Sequence, residues 1–416
     1  MPAIMTPLML PCQRSGIICS ASFRAHTTGT LSKPPSHITW VTPIRRSPWT
    51  LRRDVFAGVG GESYLGGNVA ICKISQNATE RKNKFFPLGV FGKAGRRRLC
   101  VRATSGAPAS PEADKRTLWW QAIKLPIFTV SLVPLMVGAA AAYLETGVFA
   151  ARLFWAFAVA GVFVIAWLNL SNDAYDSETT VDLTKAESVV NLTGSRNGVL
   201  NIARAFLVSG GGLLAYAVAS AGDVRAGYML AAAVVIGHVY QAPPFRLSYK
   251  GLGEPLCFIA FGPLATNAFY FAQAASALAH PHVLTPVVVG AGVLVGITTS
   301  VILFCSHFHQ VEGDIAAGKR SPVVKLGRPL AAKVLRAPVI GLHVLHVAFV
   351  AAGWLPWTCL VAAAVTLPLA LQMEQFVTNN HLKGMKVAPA KIYATKWHAA
   401  HGLALSIALV CARWYL

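Results

Sequence analysis

Nine long apolar stretches, separated by short polar segments, dominate the chain from residue 115 onward. They lie at about 126–144, 149–170, 199–220, 226–241, 254–277, 284–305, 338–353, 356–373 and 396–414. Most are close to the roughly 20 residues that cross a bilayer as an α-helix. No polar segment between them is long enough to fold as a separate domain. The pattern therefore predicts an all-α, polytopic membrane protein with about nine transmembrane helices.

The first hundred residues break this pattern. Residues 1–103 hold 16 Lys and Arg against three acids, and they are rich in Ser, Thr, Pro and Gly without apolar periodicity. Basic, hydroxylated and acid-poor leaders are typical of organelle transit peptides. The segment ends in Val101-Arg102-Ala103, which resembles a chloroplast processing site. We predict a removable, disordered chloroplast transit peptide over 1–103 and one transmembrane domain over 104–416. A mitochondrial presequence and a regulatory tail are the alternatives.

Most of the net charge belongs to that leader. The whole chain carries +21, but residues 104–416 hold 21 basic and 13 acidic side chains, a net charge of +8. This smaller net charge argues against nucleic-acid binding. With nine spans, the N-terminus and all long loops share one side of the membrane. Of the basic residues in 104–416, only Arg152, Arg225 and Arg413 lie on the opposite side. The positive-inside rule then predicts a stromal N-terminus in an envelope or thylakoid membrane.

The first polar cluster follows the apolar stretch that ends near residue 170. We call residues 169–178 the first island; Asn172, Asp173 and Asp176 lie in it, and Asp182 follows. In a continuous helix, Asn172 and Asp176 are one turn apart on one face. Acidic side chains at a membrane helix end are costly, and their oxygens suit Mg²⁺ shared with a substrate phosphate. A solvated, capped helix end is the alternative.

A second polar cluster follows the stretch that ends near residue 305. We call residues 306–320 the second island; Gln310 and Asp314 are again four residues apart, with Glu312 between them. Two such clusters at one membrane depth, one in each half of the chain, predict a divided site in which metal bridges a diphosphate. Basic side chains could bind the remaining phosphate oxygens: Lys185, Arg196, Lys319 and Arg320.

The two islands resemble the paired aspartate-rich motifs of the UbiA superfamily of intramembrane prenyltransferases. Asn172-Asp-x-x-Asp176, followed by Asp182, matches the first motif. Gln310-x-x-x-Asp314, followed by Gly318-Lys319, matches the second, although that family usually has aspartate where Gln310 stands. The segment 240–255 between them resembles the branch that prenylates 1,4-dihydroxy-2-naphthoate.

The resemblance implies a UbiA-like helical bundle and an Mg²⁺-dependent prenyltransferase. It would transfer a phytyl or other long prenyl group from its diphosphate to 1,4-dihydroxy-2-naphthoate, with loss of CO₂, in phylloquinone biosynthesis. The implied metal ligands are Asn172, Asp173, Asp176, Asp182, Gln310, Glu312 and Asp314. The implied catalytic residues are Asn172, Asp173, Asp176, Asp314 and Tyr240, and the implied substrate contacts are Lys185, Arg196, Arg246, Lys250 and Lys319.

Some assignments stay open at this point. Arg246 and Lys250 are equally well explained as ordinary loop charges. Tyr240 could stabilise a cation with its ring face, whereas Tyr249 is expected to be an interfacial anchor. Prenylation of homogentisate or chlorophyllide is the alternative within the same superfamily. An ion-coupled transporter is the alternative from another class, but its ionisable residues would usually lie near mid-membrane rather than at one face.

Overall fold

The computed structural model describes residues 115–179, 188–276 and 283–415, and no β-strand occurs among them. The predicted transit peptide lies outside the described residues, and so do Asp182 and Lys185. The fold class predicted from the apolar stretches is confirmed: the described chain is a bundle of helices.

Six helices form the first half of the bundle. They are α1 (Lys115–Ile123), α2 (Thr129–Thr146), α3 (Ala151–Asp176), α4 (Val189–Thr193), α5 (Arg196–Ala221) and α6 (Val224–Gln241). Short helical turns at Leu125–Phe128 and Leu247–Lys250 precede α2 and follow α6. The longest of these helices begin and end at the polar segments seen in the sequence.

Nine helices form the second half. They are α7 (Gly253–Ile259), α8 (Asn267–Ala275), α9 (Pro286–His307), α10 (Val311–Ala316), α11 (Pro322–Leu326), α12 (Arg328–Val334), α13 (Arg336–Ala351), α14 (Thr358–Asn380) and α15 (Ala390–Ala412). A π-helical segment, Ala260–Thr266, joins α7 to α8 without a break. The three short helices α10 to α12 lead from the second island to α13.

The predicted spans all appear as helices. Seven helical stretches of the described chain are long and apolar enough to cross a membrane. The two remaining predicted spans are α6, with 18 residues, and α15, with 23 residues. Large apolar side chains are exposed on the outside of the bundle, for example Val208, Tyr228 and Val365. That exposure fits lipid contact, because the lipid phase does not penalise apolar surface.

Helix α2 lies at the centre of the bundle, where it packs on α3, α8, α9 and α15. Its residues 137–142 are small apart from Val137, and all are buried. A Cβ atom added at Gly138 would lie 2.5 Å from the backbone oxygen of Thr266. Small residues therefore allow close backbone approach here, as is common between membrane helices.

We predict that Gly138→Ala destabilises the protein, because the added methyl group meets backbone rather than a flexible side chain. The expected cost is about 1–3 kcal/mol, measured as a lower thermal midpoint in detergent. Gly212→Ala is the matched control, since no atom lies within 4 Å of a Cβ built there. Equal stability of the two variants would contradict this packing.

Candidate functional site

Helix α3 runs without interruption through the first island and ends at Asp176. Asn172 is partly exposed, whereas Asp173 and Asp176 are buried. Oδ2 of Asp173 accepts hydrogen bonds from the hydroxyl of Ser188 at 3.0 Å and from the backbone N–H of Val190 at 3.1 Å. Asp173 therefore fixes the start of α4 against the end of α3.

The second island is not one continuous helix. Helix α9 ends at His307, and α10 begins after Gln310, whose backbone oxygen accepts from the N–H of Asp314 at 2.7 Å. The carboxylate of Asp314 is fully buried and lies 3.4 Å from Nζ of Lys319. Neither of its oxygens has a hydrogen-bond partner among the described residues.

Tyr249 connects the two islands. Its hydroxyl donates to Oδ1 of Asp176 at 2.8 Å, in the first island. Nζ of Lys319, in the second island, lies 5.8 Å from the centre of its ring. The backbone oxygen of Tyr249 accepts from the N–H of Arg320 at 2.8 Å. The prediction that Tyr249 is an interfacial anchor is therefore wrong, because the loop turns its hydroxyl inward to an acid.

The protonation of Tyr249 follows from its surroundings. Burial raises the pKa of its hydroxyl well above the ordinary value, and the negative charge of Asp176 raises it further. The phenol consequently stays protonated at neutral pH and can donate to the carboxylate. This donor partly compensates for the burial of Asp176.

A cavity of about 920 Å³ lies between the islands. Its polar lining includes Asn169, Asn172, Asp173, Asp176, Ser188, Tyr240, Gln241, Tyr249, His307, His309, Gln310 and Lys319. The rest of the lining is mainly apolar and comes from several helices, for example Ile165, Leu230, Phe261 and Ile302. Asp314 itself lies behind Lys319 rather than on the cavity wall. The cavity thus joins a charged end to a long apolar region.

Besides Asp314 and Arg320, four predicted site residues lie outside the cavity lining. Arg196 and Arg246 both form ion pairs with Glu178, the latter at 2.6 Å. Lys250 is exposed, and its backbone oxygen accepts from Nζ of Lys325. They therefore hold the loops around the cavity, and a direct substrate role for them stays a prediction.

Glu312 is the last of these four residues outside the cavity lining. Its side chain is 72% exposed and forms two 2.7 Å hydrogen bonds with the guanidinium of Arg328. These bonds lower the pKa of the Glu312 carboxyl. The family resemblance implies that Glu312 is a metal ligand, but in the structure its carboxylate contacts Arg328 instead.

The donor set fits a divalent cation that also binds substrate. No three His, Cys, Asp or Glu side chains come together as a metal cluster within 115–179, 188–276 and 283–415. Mg²⁺ does not require such a cluster, because it is usually held by one or two carboxylates, waters and substrate phosphates. The first island offers Asn172 and Asp176 on the cavity wall, and the second offers Gln310 there, with the carboxylate of Asp314 behind Lys319.

Sequence reasoning missed three polar contacts at this site. Ser188 holds Asp173, and Gln241 donates to Ser171 beneath the first island. Nδ1 of His307 lies 3.1 Å from Oε1 of Glu254. The partners are separated by 15, 70 and 53 residues along the chain. No local pattern signals such contacts, since they arise only when the helices pack.

Comparisons with known proteins agree on one family. The model of the "UbiA prenyltransferase family" matches residues 131–395. The chain is 48% identical over 302 residues to the chloroplastic 2-carboxy-1,4-naphthoquinone phytyltransferase of Arabidopsis thaliana, covering 73% of this chain and 79% of that protein. It is 43% identical over 306 residues to the 2-carboxy-1,4-naphthoquinone phytyltransferase of Synechocystis, covering 73% of this chain and 97% of that protein.

A solved structure shares the fold. The apo structure of a UbiA homolog from Aeropyrum pernix K1 aligns with a TM-score of 0.50 and 17% identity. The alignment covers 70% of this chain and 98% of that one. The helical arrangement described above is thus one already seen experimentally.

We predict that Tyr249→Phe loosens the contact between the islands while the ring stays in place. Losing a hydrogen bond to a buried carboxylate should cost about 1–3 kcal/mol, and amide exchange across 247–251 should become faster. Hydrogen exchange and thermal unfolding measure the two effects. Tyr216→Phe, at a tyrosine that is 66% exposed, is the control. Identical exchange in both variants would contradict the bridging role of Tyr249.

Proposed function

The chain belongs to the UbiA prenyltransferase family, and from this premise we propose that it transfers a phytyl group from phytyl diphosphate to 1,4-dihydroxy-2-naphthoate, in phylloquinone biosynthesis. It is a prenyltransferase by family, and the two phytyltransferases at 43% and 48% identity support the donor and the naphthalene acceptor. The observation that carries the proposal is that one cavity joins both islands to an apolar region.

The two ends of the cavity suit the two ends of phytyl diphosphate. Lys319, Asn172 and Gln310 line the polar end, where cation and amide groups can face phosphate oxygens. The apolar lining can enclose the branched hydrocarbon tail, which is stabilised by removal from water. A diphosphate held at the polar end therefore leaves its first prenyl carbon near the boundary between the two regions.

Asp173, Asp176 and Asp314, with the amides of Asn172 and Gln310, are the residues that we propose hold Mg²⁺. Bound there, Mg²⁺ would neutralise the charge that develops on the departing diphosphate. Lys319 would add a positive charge to the same leaving group. Asp182 and Lys185 stay predicted contributors, since they lie outside the described residues.

We propose that Tyr240 lies beside the reacting carbon. Its ring lies next to Gly253 at the start of α7, 3.2 Å from a Cβ atom built there. Its ring belongs to the cavity wall. A tyrosine ring face stabilises positive charge, which accumulates on an allylic carbon as diphosphate leaves. The surrounding apolar wall keeps water from that carbon.

The acceptor reacts as a nucleophile, so we propose that the reduced dihydroxy form enters the reaction. Ring carbon attacks the prenyl carbon as the bond from that carbon to the diphosphate oxygen breaks. The attacked carbon carries the carboxylate, which leaves as CO₂, and its bonding electrons restore the aromatic ring. The relatives' names give the oxidised 2-carboxy-1,4-naphthoquinone. That quinone is electron-poor and would need reduction before such an attack.

We place this enzyme in a chloroplast membrane. The membrane-length helices and the chloroplastic relative from Arabidopsis support this location. The excess of basic residues on the side of the long loops supports a stromal active site.

The decisive experiment is an acceptor comparison with the purified membrane protein. We expect Mg²⁺-dependent product from phytyl diphosphate and 1,4-dihydroxy-2-naphthoate, with release of CO₂, and little from homogentisate or chlorophyllide. Mass spectrometry identifies the product, and EDTA should abolish it. Product from homogentisate but not from the naphthoate would contradict the proposed acceptor. Ion transport without any prenyl product would favour the transporter alternative.

A further inference from the structure

A buried acid–imidazole pair includes His307, which lies three residues before Gln310 in the chain. His307 is the last residue of α9 and lines the cavity, and Glu254 lies in the first turn of α7. Nδ1 of His307 lies 3.1 Å from Oε1 of Glu254, and the side chains are only 3% and 14% exposed. The metal and diphosphate site described above uses neither residue.

The pair fixes the tautomer of the imidazole. An ionised carboxylate only accepts hydrogen bonds, so Glu254 keeps the proton of a neutral His307 on Nδ1. The lone pair is then on Nε2, at the opposite edge of a ring that borders the cavity. The hydroxyl of Ser300 on α9 donates to the backbone oxygen of Glu254 at 3.0 Å, which holds the two helices in register.

Three other ionisable groups at this end of the cavity already have partners. Asp173 accepts two hydrogen bonds, and Asp176 accepts one from Tyr249. Lys319 is paired with Asp314 and cannot accept a proton while it carries its charge. His307 differs from these groups because a carboxylate orients it so that a basic nitrogen is available. That is the arrangement expected of a general base.

We propose that His307 is the catalytic base that removes a hydroxyl proton from the aromatic acceptor, and that Glu254 is its positioning residue. The proposal rests on the proposed function, and it assigns the acceptor to the part of the cavity beside α7 and α9. A naphtholate is a much stronger carbon nucleophile than the neutral naphthol. Removing the proton therefore lowers the barrier to attack on the prenyl carbon.

The proton balance closes within one turnover. The acceptor hydroxyl gives its proton to Nε2 of His307, and its electrons form a ketone as the ring carbon bonds to the prenyl carbon. Diphosphate leaves with the electrons of the broken carbon–oxygen bond. The new β-keto carboxylate loses CO₂, and the bonding pair returns to the ring as an enolate. That enolate regains the proton from His307, so no external acid or base is consumed.

The test combines substitution with chemical rescue. In His307→Ala and His307→Gln we expect kcat for the naphthoate to fall by about 10²–10⁴-fold, with phytyl diphosphate affinity unchanged. Added imidazole should restore part of the rate of His307→Ala, because it can occupy the space of the lost ring. Glu254→Gln should lose less than His307→Gln, and Glu254→Asp should retain more activity than Glu254→Gln.

The controls separate chemistry from folding. His238→Ala, at an exposed histidine of α6, should keep the wild-type rate and show no response to imidazole. Thermal unfolding and phytyl diphosphate binding report whether each variant is folded, and His307→Gln is the variant to use if the alanine variant is not. Near-wild-type kcat in a folded variant, or loss without imidazole rescue, would overturn the assignment of His307. Absence of wild-type naphthoate turnover would instead overturn the proposed function.

Discussion

Buried carboxylates at one end of a helix bundle repel one another, and the relief of that repulsion organises the whole site. Water cannot screen these charges, so each must find a donor or a cation nearby. Asp173 accepts hydrogen bonds from the hydroxyl of Ser188 and from an N–H of α4, and Asp176 accepts one from the phenol of Tyr249. Asp314 forms an ion pair with Lys319. Nζ of Lys319 also lies 5.8 Å from the ring centre of Tyr249, so the groups that stabilise these carboxylates connect the two islands.

The sequence predicted the parts of this arrangement that local patterns encode. Apolar stretches of membrane length predicted the spans. Because α3 is unbroken, the four-residue spacing puts Asn172 and Asp176 on one helix face, as predicted. Gln310 and Asp314 have the same spacing but a different local conformation. A turn separates α9 from α10, and Gln310 lies just before the start of α10. Residues of both polar clusters nevertheless line one cavity, although the local conformation of the second cluster differs.

Contacts between distant segments could not be read from the sequence. Glu178 forms ion pairs with Arg196 and Arg246, and Arg328 forms one with Glu312. Charged residues that the sequence suggested for substrate or metal binding thus stabilise loops instead. Tyr249 and the His307–Glu254 pair gave no signal beyond their residue types. Their positions depend on how the loop after α6 and the start of α7 pack on α9. Charge and spacing thus located the site, whereas packing decided which residues reach it.

The central claim is that both islands bind one diphosphate through metal, and a double-mutant cycle tests it most directly. The measurement is the Mg²⁺-dependent affinity for phytyl diphosphate of Asp176→Ala, Asp314→Ala and the double variant. One shared site predicts strong coupling, so that each single variant loses most of the affinity and the double variant loses little more. Two losses that add independently would contradict a single diphosphate site built from both halves of the chain.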